Sequence, residues 1–123
     1  MWIMGRLNGE HVFASVSVDH VDHLKIAVRT RNRLDADRMA KFLDAEVTPT
    51  PTADYQWRVV VEPADYKRLL AAMANEIDYE RFKPTIPDDE SWRYEVYLGC
   101  WGELLRLRHP DLALIPDEVN SYD

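Results

Sequence analysis

The chain has 123 residues, a mass of 14.4 kDa, 46% apolar and 30% charged side chains, the make-up of one folded domain spanning 1–123 and not of a disordered acidic chain. No apolar run approaches the roughly 18 residues a membrane span needs, Met1–Leu7 is too short for a signal peptide, and a lone Cys100 excludes a disulfide framework. A net charge of −7 disfavours nucleic-acid binding driven by overall charge. A cytoplasmic domain with no membrane association is the expectation.

The first segment reads as strands. In His11–Val18 the residues Val12, Ala14, Val16 and Val18 alternate with His11, Phe13, Ser15 and Ser17, the period of two that half-burial demands. Asn8-Gly9 is a turn signal, so Trp2–Met4 pairs back as a short edge strand. Asp19–His23 is the next turn. Leu24–Arg31 alternates again, with Leu24, Ile26 and Val28 on one face and Lys25, Ala27, Arg29 and Arg31 on the other.

A helix starts at Asn32, which caps it, while Asp35 three positions on reaches back and suits the helix N-terminus. Ala36, Met39, Ala40 and Leu43 give its apolar stripe. Thr48–Thr52, with Pro49 and Pro51, is confined to an extended connection or an exposed edge. Asp54–Val61 reads as a strand with Tyr55, Trp57, Val59 and Val61 on one face and Gln56, Arg58 and Val60 on the other. Pro63 opens a second helix striped by Tyr66, Leu69, Leu70, Met73 and Ile77. After Pro84 and Pro87 a third helix runs from Asp89 to about Arg108, with Tyr97, Leu98, Trp101, Leu104 and Leu105 as its stripe. A mobile acidic tail occupies 116–123.

The order strand–strand–helix–strands–helix–helix predicts an α+β fold: an antiparallel-rich sheet packed by about three helices, with a ferredoxin-like β-α-β-β-α core from Leu24 to Ile77 and an added N-terminal hairpin.

Charge is unevenly placed. Residues 1–75 hold ten acids and ten bases, whereas 76–123 hold twelve acids against five bases. Within the neutral part, Lys25, Arg29, Arg31, Arg33, Arg38 and Lys41 face only Asp35 and Asp37, which makes a basic edge. Arg29 and Arg31 point to one side of a strand, and Arg58 projects from a neighbour. Such forks grip carboxylates, phosphates or a nucleic-acid backbone. With Trp57 they form the candidate binding set Arg29, Arg31, Arg58 and Trp57. A base-stacking platform is disfavoured, because Tyr55 and Trp57 alternate with Arg58 and point the other way. The plainer alternative is a solvated face whose arginines pair with acids of the C-terminal third.

Other chemistry is weaker. Asp19-His20-Val21-Asp22-His23, with His11 across a hairpin, contains metal-capable side chains, but these are equally turn formers, and no metal or cofactor is assigned. Cys100 beside Trp101 reads as a small buried thiol. Asp54-Tyr55 and Asp78-Tyr79 are not preassembled acid–base pairs, since neighbours on a strand point apart. No catalytic residue is assigned, and nothing demands an enzyme. The thirteen aromatics read first as core and core edge, and rings in excess at the surface would serve a protein partner or a second copy of the chain.

The ordered set Val28-Arg29-x-Arg31, Ala53-Asp54-Tyr55-x-x-Arg58, Ile77-Asp78-Tyr79-x-x-Phe82-Lys83 and Tyr97-x-x-x-Trp101 resembles a family of short proteins of bacteria and their phages. The likeness spans roughly residues 12–106. Arg81 departs from the family's Asn, and Trp57 from its Tyr; Met1–Gly9 and the segment from Asp111 do not match. The resemblance implies a bacterial or phage-encoded protein and brings no active site with it. It also directs attention to Asp54 as a cap for the turn after the prolines, to Arg58 meeting Asp78, and to Tyr79 and Phe82 as plugs of the core.

These features make a non-catalytic protein-interaction or regulatory module the leading expectation. A nucleic-acid or anionic-ligand binder using the arginine-lined strand face is the alternative. An enzyme with an unfamiliar site and an acidic imitation of DNA rank behind both.

Overall fold

The computed structural model describes residues 1–108; the tail expected at 116–123 lies outside them. They fall into two compact units, Met1–Asp78 and the segment from Tyr79 onward.

The first unit is an antiparallel sheet with two helices. Its strands are β1 (Trp2–Leu7), β2 (Glu10–Val18), β3 (Ile26–Thr30), β4 (Thr48–Pro49) and β5 (Trp57–Val61), in the order β1-β2-β3-β5-β4. The helices are α1 (Arg33–Leu43) and α2 (Pro63–Asn75). The sequence β3-α1-β4-β5-α2, with β5 between β3 and β4, is the expected β-α-β-β-α unit. The hairpin supplies β2 on the free side of β3, so the α+β expectation stands.

Asn8 and Gly9 both have positive φ, 52° and 77°, the twist a two-residue hairpin needs and the reason Asn-Gly serves there. The Glu76 carboxylate accepts from the amides of both residues, which ties the end of α2 to the first hairpin. Arg6 adds bonds to the Glu76 carbonyl at 3.0 Å and to Asp78 at 2.8 Å.

One face of the sheet carries Ile3, Leu7, Val12, Ala14, Val16, Val28, Val59 and Val61. Ala36, Met39, Ala40 and Leu43 of α1 and Tyr66, Leu69 and Met73 of α2 close over it. Both helical stripes are those the periodicity predicts, except that Ile77 falls beyond α2 and is exposed. Asn32 caps α1 as expected, its Oδ1 accepting from the Asp35 amide at 2.8 Å.

β3 ends at Thr30, whereas β2 continues back to Glu10. The β3 pairing covers Ser15–Val18 of β2 and leaves His11 and Phe13 beyond it. Two α1 side chains take up backbone groups there. Asp35 Oδ2 accepts from the Phe13 amide at 3.0 Å, and Arg38 donates to the His11 carbonyl at 2.7 Å. Asp35 is 1% exposed, and a polar group so buried is costly unless hydrogen-bonded.

In the second unit, short helical turns at Lys83–Thr85 and Asp88–Glu90 precede α3 (Ser91–Leu104). The buried side of α3 differs from the expected stripe. Arg93 and Tyr97 are buried, whereas Leu98 and Leu104 are 40% and 58% exposed. Arg93 donates to Glu90 Oε1 at 2.7 Å and to the Tyr97 hydroxyl at 3.0 Å. A buried ion pair therefore shares the buried side of α3 with Tyr97, and Leu98 and Leu104 lie outside it. Phe82 stacks on Tyr97 at 5.9 Å and meets Tyr79 at 5.6 Å, so the two rings expected to plug the sheet's core cluster with α3. Cys100 is half-buried.

Candidate functional site

The arginines lie on the sheet face opposite α1 and α2. Register places Ser15, Arg29 and Arg58 side by side across β2, β3 and β5. Two guanidiniums on directly opposed residues repel, and the structure separates them by turning each toward a different partner. Arg29 turns to β2, donating to the Ser15 hydroxyl at 2.8 Å and to its carbonyl at 3.3 Å. Arg58 reaches past β3 to the turn after β2, where Nη1 meets Asp19 Oδ1 at 3.4 Å and His20 Nδ1 at 2.7 Å. Small Ala27, two residues from Arg29 on the same face, leaves room for that crossing.

Tyr55 completes the site, and its position departs from expectation. The alternation predicted a strand from Asp54 with Tyr55 facing away from the arginines. β5 begins only at Trp57. The preceding loop is closed by Thr50, whose amide donates to the Gln56 carbonyl at 2.7 Å and whose hydroxyl donates to that of Tyr55 at 2.8 Å. Freed from the strand, Tyr55 lies against the arginines: its ring centroid is 5.1 Å from Arg29 Cζ and 4.6 Å from Arg31 Cζ. Both are cation–π distances. Asp54 does not serve as the expected turn cap but bonds Arg31 at 2.8 Å. This ion pair also raises the Arg31 pKa further above its ordinary value.

Of the four expected binding residues, the structure brings Arg29 and Arg31 together around Tyr55. It sets Arg58 opposite Arg29 but draws its guanidinium away, and Trp57 occupies the other face. There Trp57 packs at the margin of the core, with Arg33 Cζ 5.5 Å from its ring. The expected meeting of Arg58 with Asp78 does not occur: Asp78 pairs with Arg6.

The basic edge is largely neutralised by acids of the first 75 residues. Lys25 pairs with Glu62, Arg31 with Asp54, Arg33 with Asp37, Arg38 with Glu10 and Arg58 with Asp19. Arg29 is different, because no carboxylate among the described residues lies within ion-pair distance of it. Its positive charge is balanced by hydroxyl, carbonyl and ring.

The Asp19–His23 turn is a hydrogen-bonded device. Asp19 Oδ2 accepts from the amides of Asp22 at 3.0 Å and Val21 at 3.2 Å, and no group of three metal-capable side chains assembles among the described residues. His11 lies at the far end of β2, opposite Arg6. The Asp22 amide holds the Asp19 carboxyl below its ordinary value of 3.8, with help from the Val21 amide, His20 and Arg58 and against desolvation. A carboxyl depressed on folding contributes stability above its unfolded pKa and loses it as pH falls through the folded one. Asp19→Asn is therefore expected to flatten the loss of stability between pH 4 and more acid conditions, read from urea midpoints across that range.

No helix of the described residues is long and apolar enough to cross a membrane. An open depression of about 540 Å³ along α1 is lined by Arg33, Asp37, Lys41, Asp44 and Glu46 together with small apolar residues, a set of mixed sign with three acids against two bases. Comparison with protein-family models, curated proteins and solved structures finds no match.

Proposed function

We propose that the protein is a non-catalytic interaction module whose binding face is the Arg29–Tyr55–Arg31 corner, and that its partner is a protein presenting an acidic segment. The stacking of two guanidiniums on one tyrosine ring carries this reading. Arginine and tyrosine dominate interface energetics, and guanidiniums already held against a ring lose less freedom on docking. Arg29 supplies a positive charge with no carboxylate at ion-pair distance among the described residues, so an incoming carboxylate gains a fork-shaped partner.

The test is affinity capture from bacterial lysate with the full chain, comparing wild type, Arg31→Ala, Tyr55→Leu and a control, Lys67→Ala, at an exposed position of α2. A protein retained by wild type and the control but lost by both corner variants supports the reading. Capture unchanged by the corner variants contradicts it.

Tyr55 on the arginine side favours a second reading, an anionic ligand or single-stranded nucleic acid, since aromatic rings and guanidinium planes both stack bases. Titration with a labelled oligonucleotide at several salt concentrations separates the two. Phosphate contacts must weaken steeply as salt rises, and the net charge of −7 opposes them.

A further inference from the structure

We infer that His20, Asp19 and Arg58 form a proton-operated latch, which holds the Arg58 guanidinium at the β2–β3 turn or lets it return beside Arg29. Its consequence for binding rests on the arginine face being the binding face.

Arg58 and Arg29 are direct cross-strand partners, a placement from which like charges withdraw when something draws one off. Here Nη1 of Arg58 lies 2.7 Å from His20 Nδ1 and 3.4 Å from Asp19 Oδ1. A guanidinium nitrogen can only donate, so Nδ1 must carry a lone pair, and the latched ring is the neutral tautomer with its hydrogen on Nε2. The Arg58 and Asp19 side chains are 14% and 8% exposed, whereas His20 is 74% exposed. A proton thus reaches the ring freely while the ion pair it governs stays shielded.

Protonation at Nδ1 removes the acceptor and puts a second cation against the guanidinium. Asp19 Oδ1, 4.0 Å from Nδ1, then attracts both cations. Its carboxylate cannot follow either one, because Oδ2 is held by the Val21 and Asp22 amides. The remaining charged groups nearby are engaged elsewhere or point away: Asp22 Oδ1 accepts from the Leu24 amide, Lys25 pairs with Glu62 of the chain after β5, and His23 is exposed. Histidine changes charge between about pH 5 and 8. Once the ring is protonated, Arg58 moves back toward Arg29, and the arginine face gains a third guanidinium beside Arg29 and Arg31 for an acidic partner.

The test follows the His20 ring nitrogens and the Arg58 Nε and Nη signals by NMR of the full chain from pH 8 to pH 5. Wild type is compared with His20→Asn, whose side-chain oxygen accepts from Arg58 but does not titrate. The Arg58 signals should shift in wild type with the midpoint of His20 itself, and stay at their high-pH positions in His20→Asn. Stationary Arg58 signals through the wild-type titration, or the same shift in His20→Asn, would overturn the latch. Either result leaves capture through Arg31 and Tyr55 unaffected, so the two readings fail separately.

Discussion

Replacing Arg93 with methionine should lower stability by about 3–5 kcal/mol, the usual cost of taking one partner from a buried ion pair. Arg93 is 1% exposed, and Glu90, to which it donates at 2.7 Å, is 6% exposed. Methionine fills most of the space but withdraws the cation from a carboxylate already out of water. The double variant Glu90→Gln with Arg93→Met removes the charge at the same time and should recover a large part of the loss. Urea unfolding of both variants measures the difference. Equal loss in the two would place the effect in packing instead of charge.

Asp35→Ala is expected to cost about 2–3 kcal/mol, through the loss of a charge-assisted bond to a backbone amide that β3 does not reach. The effect should be local as well as global. The Phe13 amide, now protected by Asp35 Oδ2 at 3.0 Å, should exchange its hydrogen faster than the amides of Ser15–Val18, which pair with β3. Hydrogen exchange resolved by residue checks this, and uniform acceleration along β2 would show that Asp35 merely supports the helix.

Much of the fold was legible because it rests on short-range patterns. The valine alternation of β2, the Asn32 cap, Pro63 at the start of α2 and the stripes of both helices each specify a local geometry. Side-chain destinations were legible only where a period fixes them. Tyr55 was misplaced because the alternation of Tyr55, Trp57, Val59 and Val61 continues through a loop that Thr50 closes, and hydrogen bonds between residues 50 and 56 leave no mark on hydropathy. Arg58 was matched with Asp78 instead of Asp19 because the choice among acids depends on how strands are ordered. In α3 the leucines weighted the expected stripe, although Glu90 and Arg93, three residues apart, were visible as a pair that could go inside together. The role of Asp35 and Arg38 left no such mark: the expected strands His11–Val18 and Leu24–Arg31 are equally long, and only the observed end of β3 at Thr30 leaves backbone groups of β2 in need of partners.

Ser15 and Asp54 hold Arg29 and Arg31 separately, and Tyr55, released from the strand by the loop before Trp57, is the ring that joins the two guanidiniums into one corner. The proposed binding face depends on that joining, because a pre-arranged pair loses less freedom on docking.

The direct measurement is the ring-current shift that Tyr55 imposes on its neighbours. The side-chain protons of Arg29 and Arg31 should resonate upfield in wild type and return to ordinary positions in Tyr55→Leu, while Arg68, which lies over Phe42, keeps its shift. Identical Arg29 and Arg31 spectra in the two proteins would contradict the stacked corner and remove the basis for the proposed binding face.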